Sequence, residues 1–253
     1  MAHTLVTIPF SHFCEKARWS LEAAGVAFRE EGHVPGLHRR AVRRMGGKTS
    51  VPVLVLEDGS VLADSPKIVR FADSRAAGNR KLLPADGSAR DEALALERRL
   101  DLDFAPHVRR FVYFHLLRSR ALTLRLFSRR TPRFEQVAVG ALFPVLRKAM
   151  RRFMRIDEAN ALDSRDRMRS IFDEIGTRIA VRPYLFGDRF GALDIAFAAF
   201  AAPIVAPVEH PVTPRDDEFS RLMPKAFTDE VDALRQSPAA QFVMRVYRDH
   251  RRG

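Results

Sequence analysis

Apolar and polar positions change rhythm several times along this chain, and each change marks an element. Leu5 to Ile8 is a short apolar run of the kind a buried strand makes. From Ser11 to Ala24 the period becomes helical through Cys14, Ala17, Arg18 and Leu21, and Gly25 stands where such a helix ends. Val26 to Glu31 alternates as a second strand, and Leu37 to Met45 is a short, very basic helix stopped by Gly46-Gly47. Val51 to Leu56 reads as a strand opened by proline, which is admissible because a first strand residue need not donate a hydrogen bond. Glu57-Asp58-Gly59-Ser60 is an Asp-Gly hairpin turn leading into Val61 to Ala63. Asp64-Ser65-Pro66 then opens a helix with Ser65 as N-cap, Pro66 at the first helical position, and Ile68, Val69 and Phe71 on its apolar face.

The order strand, helix, strand, helix, strand, strand, helix predicts a compact α/β unit with a mixed sheet, placed at residues 1–76. Residues 77–88, with Gly78, Asn79, Pro84 and Gly87, read as a linker. Residues 89–253 are helical in period throughout, over Ala89 to Leu117, Phe134 to Ile156, Asp163 to Ala180, Leu193 to Ala202 and Pro224 to Arg252. The second part is therefore expected to be an all-α domain. No internal repeat is visible, and Pro203 to Pro214 reads as an ordered loop.

Composition narrows the function classes. A chain of 253 residues with 46% apolar content suits two ordinary domains. The longest apolar stretch, Ile195 to Val208, is broken by Pro203 and Pro207 and is shorter than the roughly 20 residues a bilayer needs. The N-terminus lacks a basic region followed by a long apolar one, so no secretory signal is expected. A single cysteine excludes an intramolecular disulfide framework and a cysteine zinc cluster, and cytoplasm is the expected location. The eight histidines have no metal-gathering spacing, so no metal is expected. A formal charge of +12 would attract polyanions. Its arginines, clustered between Arg109 and Arg169, recur at helical spacing beside apolar residues, as solvated helix faces do. Nucleic acid is not expected as a partner, since no exposed face interleaving bases with aromatics is legible.

The chain resembles the cytosolic glutathione S-transferase family. The resemblance rests on Ser11-His12-Phe13-Cys14-Glu15-Lys16-Ala17-Arg18, on Val51-Pro52-Val53-Leu54, on Ala63-Asp64-Ser65, and on Gly187 to Asp194, in that order and spacing. It implies a thioredoxin-like βαβαββα domain followed by a helical bundle, with glutathione as cosubstrate. In the family the proline matching Pro52 is cis and turns the backbone of the preceding residue, here Val51, toward the cysteinyl part of glutathione. The pair matching Asp64-Ser65 holds the γ-glutamyl end, and a base near Lys48 often takes the glycyl carboxylate. Ser11 matches the serine that donates a hydrogen bond to the glutathione sulfur, where a helix N-terminus helps stabilise a thiolate. Each serine also has a plainer reading as a helix cap. Arg18 matches a structural arginine. Gly191 and Asp194 match a capping box in which glycine replaces the usual hydroxyl residue.

Cys14 stands at the second position of a C-x-x-C whose first position is Ser11, so an intrachain dithiol cycle cannot run. Two readings remain for it: a buried packing residue, or an exposed thiol forming mixed disulfides with glutathione. The leading expectation is an enzyme that conjugates glutathione to a small, apolar electrophile, acting as a homodimer in detoxification. The alternatives are a glutathione-binding protein without turnover, and a monothiol glutathione-dependent reductase using Cys14. Phe104, Val108, Phe111, Tyr113 and His115 are candidates either for the second-substrate site or for ordinary core.

Overall fold

The computed structural model describes residues 2–85, 87–212 and 222–251. Within the first part, β1 (His3–Thr7), α1 (His12–Ala24), β2 (Phe28–Gly32), α2 (His38–Arg44), β3 (Val53–Val55), β4 (Val61–Ala63) and α3 (Ser65–Arg75) follow the expected order. The sheet runs β2-β1-β3-β4, with β1 parallel to β2 and antiparallel to β3, and β3 antiparallel to β4. Register explains the two layers of helix. Leu5 pairs with Leu54, and both join the core that holds Ala17 and Leu21 of α1 and Ile68, Val69 and Ala72 of α3. Val6 pairs with Val53 one residue along and points the other way, onto Ala41 and Val42 of α2. Strands covered on both faces read as continuous apolar runs, as these do.

The second part is helical: α4 (Ser88–Arg99), a π turn (Leu100–Phe104), α5 (Ala105–Leu116), α6 (Arg120–Phe127), α7 (Arg133–Ala141), α8 (Phe143–Phe153), α9 (Glu158–Ile179), α10 (Ala192–Val205), α11 (Lys225–Arg235) and α12 (Pro238–His250). Its core is continuous with that of α1 and α3. The fold is thus a thioredoxin-like α/β unit joined to an α-helical bundle.

Several helices end where the apolar period gives no warning. The stretch expected from Phe134 to Ile156 breaks at Leu142, because Pro144 has no N–H for the carbonyl of Gly140. Arg120 donates to that carbonyl instead, at 3.0 Å. The stretch expected from Pro224 to Arg252 breaks at Ser237, whose hydroxyl accepts from the Ala240 N–H and caps α12. Helix α6 falls outside the stretches expected to be helical; Ser119 caps it by accepting from the Leu122 N–H. Pro203 does the reverse of what its presence suggests, since α10 runs through it to Val205. Of the loop expected from Pro203, residues 213 and 214 lie outside the described residues. Asp194 accepts from the N–H groups of Gly191 and Leu185, each at 2.8 Å, so the acidic half of the capping box forms although glycine has no hydroxyl to reciprocate.

Candidate functional site

The pairing of β1 with β3 sets the C-terminal end of one beside the N-terminal end of the other, with Val6 opposite Val53. Two loops therefore leave the sheet at the same edge: the segment from Ile8 to Ser11, and the segment through Val51-Pro52. The Val51–Pro52 bond is cis. The carbonyl of Pro52 accepts from the Asp64 N–H at 3.2 Å, which brings the start of α3 to the same place. The Ser50 hydroxyl adds a 3.3 Å bond to the Asp64 carboxylate.

Asp64 and Ser65 differ in every respect that matters for chemistry. Asp64 is exposed and holds φ 73° with ψ 142°, a backbone conformation that L residues rarely adopt and that costs about 1–3 kcal/mol. It occupies the N-cap position expected of Ser65, yet its side chain caps nothing. Ser65 is the first residue of the helix, 2% exposed, and its buried Oγ has no hydrogen-bond partner among the described residues. A buried hydroxyl left unpaired costs roughly 1–3 kcal/mol, which is unusual unless a ligand completes it. The capping role for Ser65 is therefore not what the structure shows.

Ser11 lies at the N-terminus of α1 in extended conformation, and its side chain also makes no cap bond. Its carbonyl accepts from the Glu15 N–H at 2.8 Å and its own N–H bonds Ile8 at 2.9 Å, so the backbone there is fully ordered. Cys14 lies one turn on, wholly buried. Burial pushes its thiol up to about 12, against smaller opposing effects from the Ile8 backbone, the Ser11 hydroxyl and the Arg18 charge. The exposed-thiol reading of Cys14 fails on that burial. Lys48 is exposed on the loop before Ser50, and no ion pair involves it among the described residues.

The rest of α1 is clamped by charge. Lys16 is fully buried, with its ammonium 2.8 and 2.9 Å from the two carboxylate oxygens of Asp101 in the π turn. It also lies 2.8 Å from Glu97, outside hydrogen-bonding geometry, so that second contact is an ion pair only. Arg18 pairs with Glu15 and bonds Glu30 of β2 at 2.9 Å, as a structural arginine should. Arg251 bonds Glu15 from the far end of the chain at 2.7 Å. Burial alone would raise the Glu15 carboxyl, but His210, Arg18 and Arg251 bring it down to about 2. His12 is buried with Nε2 3.1 Å from the Ala105 carbonyl, and burial next to Arg109 lowers it to about 3.

On the helical side, Phe104, Val108, Phe111 and His115 are buried in ordinary core. Tyr113 is only partly exposed, and burial pushes its phenol up against the smaller opposing effect of the Arg109 charge. Arg109 is a residue that the sequence did not single out. Its guanidinium lies 6.0 Å from the ring of Phe13, and its buried Nε has no partner among the described residues. Its spacing is that of any helical arginine, so only the fold reveals that it faces α1. A cavity of about 230 Å³ adjoins the same region, lined by Phe10, Val112, Leu126, Ile204 and Phe227, with His210 among its few polar groups. Another, of about 190 Å³, lies under the Asp194 loop, away from these residues. Among the described residues no cluster of histidine, cysteine and carboxylates is suited to a metal, and no helix is long and apolar enough to cross a membrane.

Residues 5–80 match the family described as glutathione S-transferase, N-terminal domain. The whole fold is similar to a glutathione S-transferase from Pseudomonas fluorescens Pf-5, at 17% identity over 99% of this chain and 96% of that one, with a TM-score of 0.63. It is also similar to the β-etherase LigF from Sphingobium sp. strain SYK-6, at 16% identity, 97% and 99% coverage and a TM-score of 0.62. A theta class glutathione S-transferase from Xanthomonas axonopodis pv. citri, solved with glutathione bound, aligns at 23% identity, 95% coverage of each chain and a TM-score of 0.57. No curated protein matches.

Proposed function

We propose that this chain, whose residues 5–80 match the N-terminal domain of the glutathione S-transferase family, binds glutathione at the edge formed by Ser11, Val51, Pro52, Asp64 and Ser65 and transfers the thiolate to an electrophile. The observation that carries this reading is the buried, unpartnered Oγ of Ser65, set beside a cis Val51–Pro52 bond and a strained Asp64. An acceptor carboxylate from the γ-glutamyl group would satisfy that hydroxyl and the free amides of α3, while Asp64 faces the ammonium. The backbone of Val51 would pair with the cysteinyl part, and Lys48 with the glycyl carboxylate.

Ser11 is the proposed donor to the sulfur. A hydroxyl and a helix N-terminus can lower a bound thiol by one to two units, which raises the thiolate fraction at neutral pH about tenfold to a hundredfold. Transfer then needs only that the electrophile be held close. The apolar cavity adjoining Phe10, the neighbour of Ser11, supports an apolar electrophile, with His210, Thr228, Asp232 and Arg235 as the polar groups of its lining. A cytoplasmic homodimer acting in detoxification completes the proposal.

Calorimetric titration with glutathione and a chlorodinitrobenzene conjugation assay test it together. Ser11→Ala is expected to keep glutathione affinity and to lower kcat about tenfold to a hundredfold at neutral pH, recovering as the pH rises. Absence of glutathione binding by the unaltered protein would overturn the site. Binding with no turnover on any electrophile would overturn the transfer step alone.

A further inference from the structure

The hairpin of α7 and α8 has two faces of opposite character. On the inner side, Val139, Leu146 and Met150 pack with Val34, Leu37 and Phe127, and the buried Glu135 accepts from the Val34 N–H and bonds His33 at 2.7 Å. The outer side exposes large apolar groups. Phe134 is 71% exposed, Val137 74%, Leu142 56%, Val145 68% and Phe153 79%. Phe134, Val137 and Ala141 follow one another at helical spacing along α7, and Val145, Ala149 and Phe153 do so along α8. An apolar stripe of this length left in water marks an interaction surface.

The charge around the stripe selects the partner. From Arg129 to Arg155 the chain carries eight basic residues and a single acidic one, Glu135, which is used internally. Arg133, Arg147, Lys148, Arg151 and Arg152 have no ion pair among the described residues, so the surface keeps a strong positive charge. A second copy presenting the same face would bring two such basic surfaces together. A nucleic acid would match the charge but offers nothing to Val137, Leu142 or Val145. Arginine and lysine flanking protruding phenylalanine, leucine and valine is the composition of a helix lying in the interface of an anionic bilayer.

We propose that the α7–α8 hairpin docks the protein reversibly on a membrane surface rich in anionic headgroups, with Phe134, Val145 and Phe153 entering the headgroup region and Arg151 and Arg152 pairing with phosphates. The docking is peripheral and does not depend on glutathione.

Co-sedimentation of the full chain with vesicles tests it, comparing pure phosphatidylcholine with phosphatidylcholine containing about 30 mol % phosphatidylglycerol. The unaltered protein is expected to bind the anionic vesicles and not the neutral ones, and to dissociate as salt rises. Each of Arg151→Gln and Arg152→Gln should weaken partitioning about fivefold. Combined Phe134→Ser, Val145→Ser and Phe153→Ser should lower it at least tenfold with an unchanged circular dichroism spectrum, since all three side chains are exposed. Should that variant fail to fold, Phe153→Trp gives the same answer, through a blue shift of its indole emission on anionic vesicles only. Equal binding to both vesicle types, no binding, an unshifted emission from the Phe153→Trp variant, or burial of the hairpin in a dimer that sediments without lipid would each overturn the proposal. So would retention of lipid binding by the serine variant.

Discussion

Cys14 decides between two chemistries, and its environment allows a quantitative test. Burial moves its thiol from an ordinary 9.0 up to about 12, so the thiolate fraction at neutral pH falls about a thousandfold below that of a free cysteine. The thiolate is the nucleophile, so alkylation should slow by at least that factor, and exclusion of the reagent from a wholly buried site slows it further. The assay is the rate of iodoacetamide labelling followed by mass spectrometry, in native protein and in denaturant at the same pH. Native labelling is expected to be slower by three orders of magnitude or more. Cys14→Ala is expected to leave any conjugating activity within about twofold, because the proposed donor is Ser11. Native labelling at the rate of the denatured chain, or loss of activity in Cys14→Ala with activity kept in Ser11→Ala, would refute the assignment and restore a monothiol mechanism.

Ser65→Ala removes a hydroxyl that bonds nothing in the described structure, so the thermal midpoint should stay within a degree or two while the Kd for glutathione rises about tenfold to a hundredfold, the worth of a hydrogen bond to a charged group. Lys16→Met strips the ammonium from Asp101 and Glu97; leaving buried carboxylates without their cation should cost about 3–5 kcal/mol in urea unfolding, and a loss under 1 kcal/mol would refute the clamp. His12 stays neutral in the folded protein down to about 3, whereas the unfolded chain takes up a proton below about 6.5. Its contribution to stability is therefore present above that pH and lost as pH falls toward 3; His12→Asn should flatten the acid slope by about 1.4 kcal/mol per pH unit across that window, and an unchanged slope would refute the assignment.

What the sequence disclosed and what it concealed divide along one physical line. Strands were legible because Leu5 and Val6, or Val53 and Leu54, are apolar on both faces of a sheet covered by helices. The βαβαββα order followed from turn chemistry at Gly25 and Asp58-Gly59, and the resemblance supplied the cis bond at Val51–Pro52, which no periodicity encodes. Long-range partners were illegible. Glu15 and Lys16 carry charge on a helix that the sequence alone could turn to solvent, yet both are buried, because their partners stand as far away as Arg251 and Asp101. The break between α7 and α8 needed both Pro144 and the distant Arg120. Arg109 had no signal of its own, since only the packing of α5 on α1 distinguishes it from the exposed arginines around it.

The burial of those charges bears on the candidate site itself. Buried ion pairs contribute little net stability, since desolvation offsets most of the attraction, but each one penalises every arrangement in which it is broken. Here they grip α1 from three directions: Lys16 toward the π turn, Arg18 toward β2, and Glu15 toward Arg251 beyond α12. Ser11 is the residue on which that helix begins, so its hydroxyl is positioned by both halves of the molecule rather than by the sheet edge alone. A donor that must act on a bound sulfur at hydrogen-bond distance gains from such fixing, because small displacements at a reacting centre are expensive in rate. Polarity on α1 that serves stability poorly thus makes physical sense as orientation.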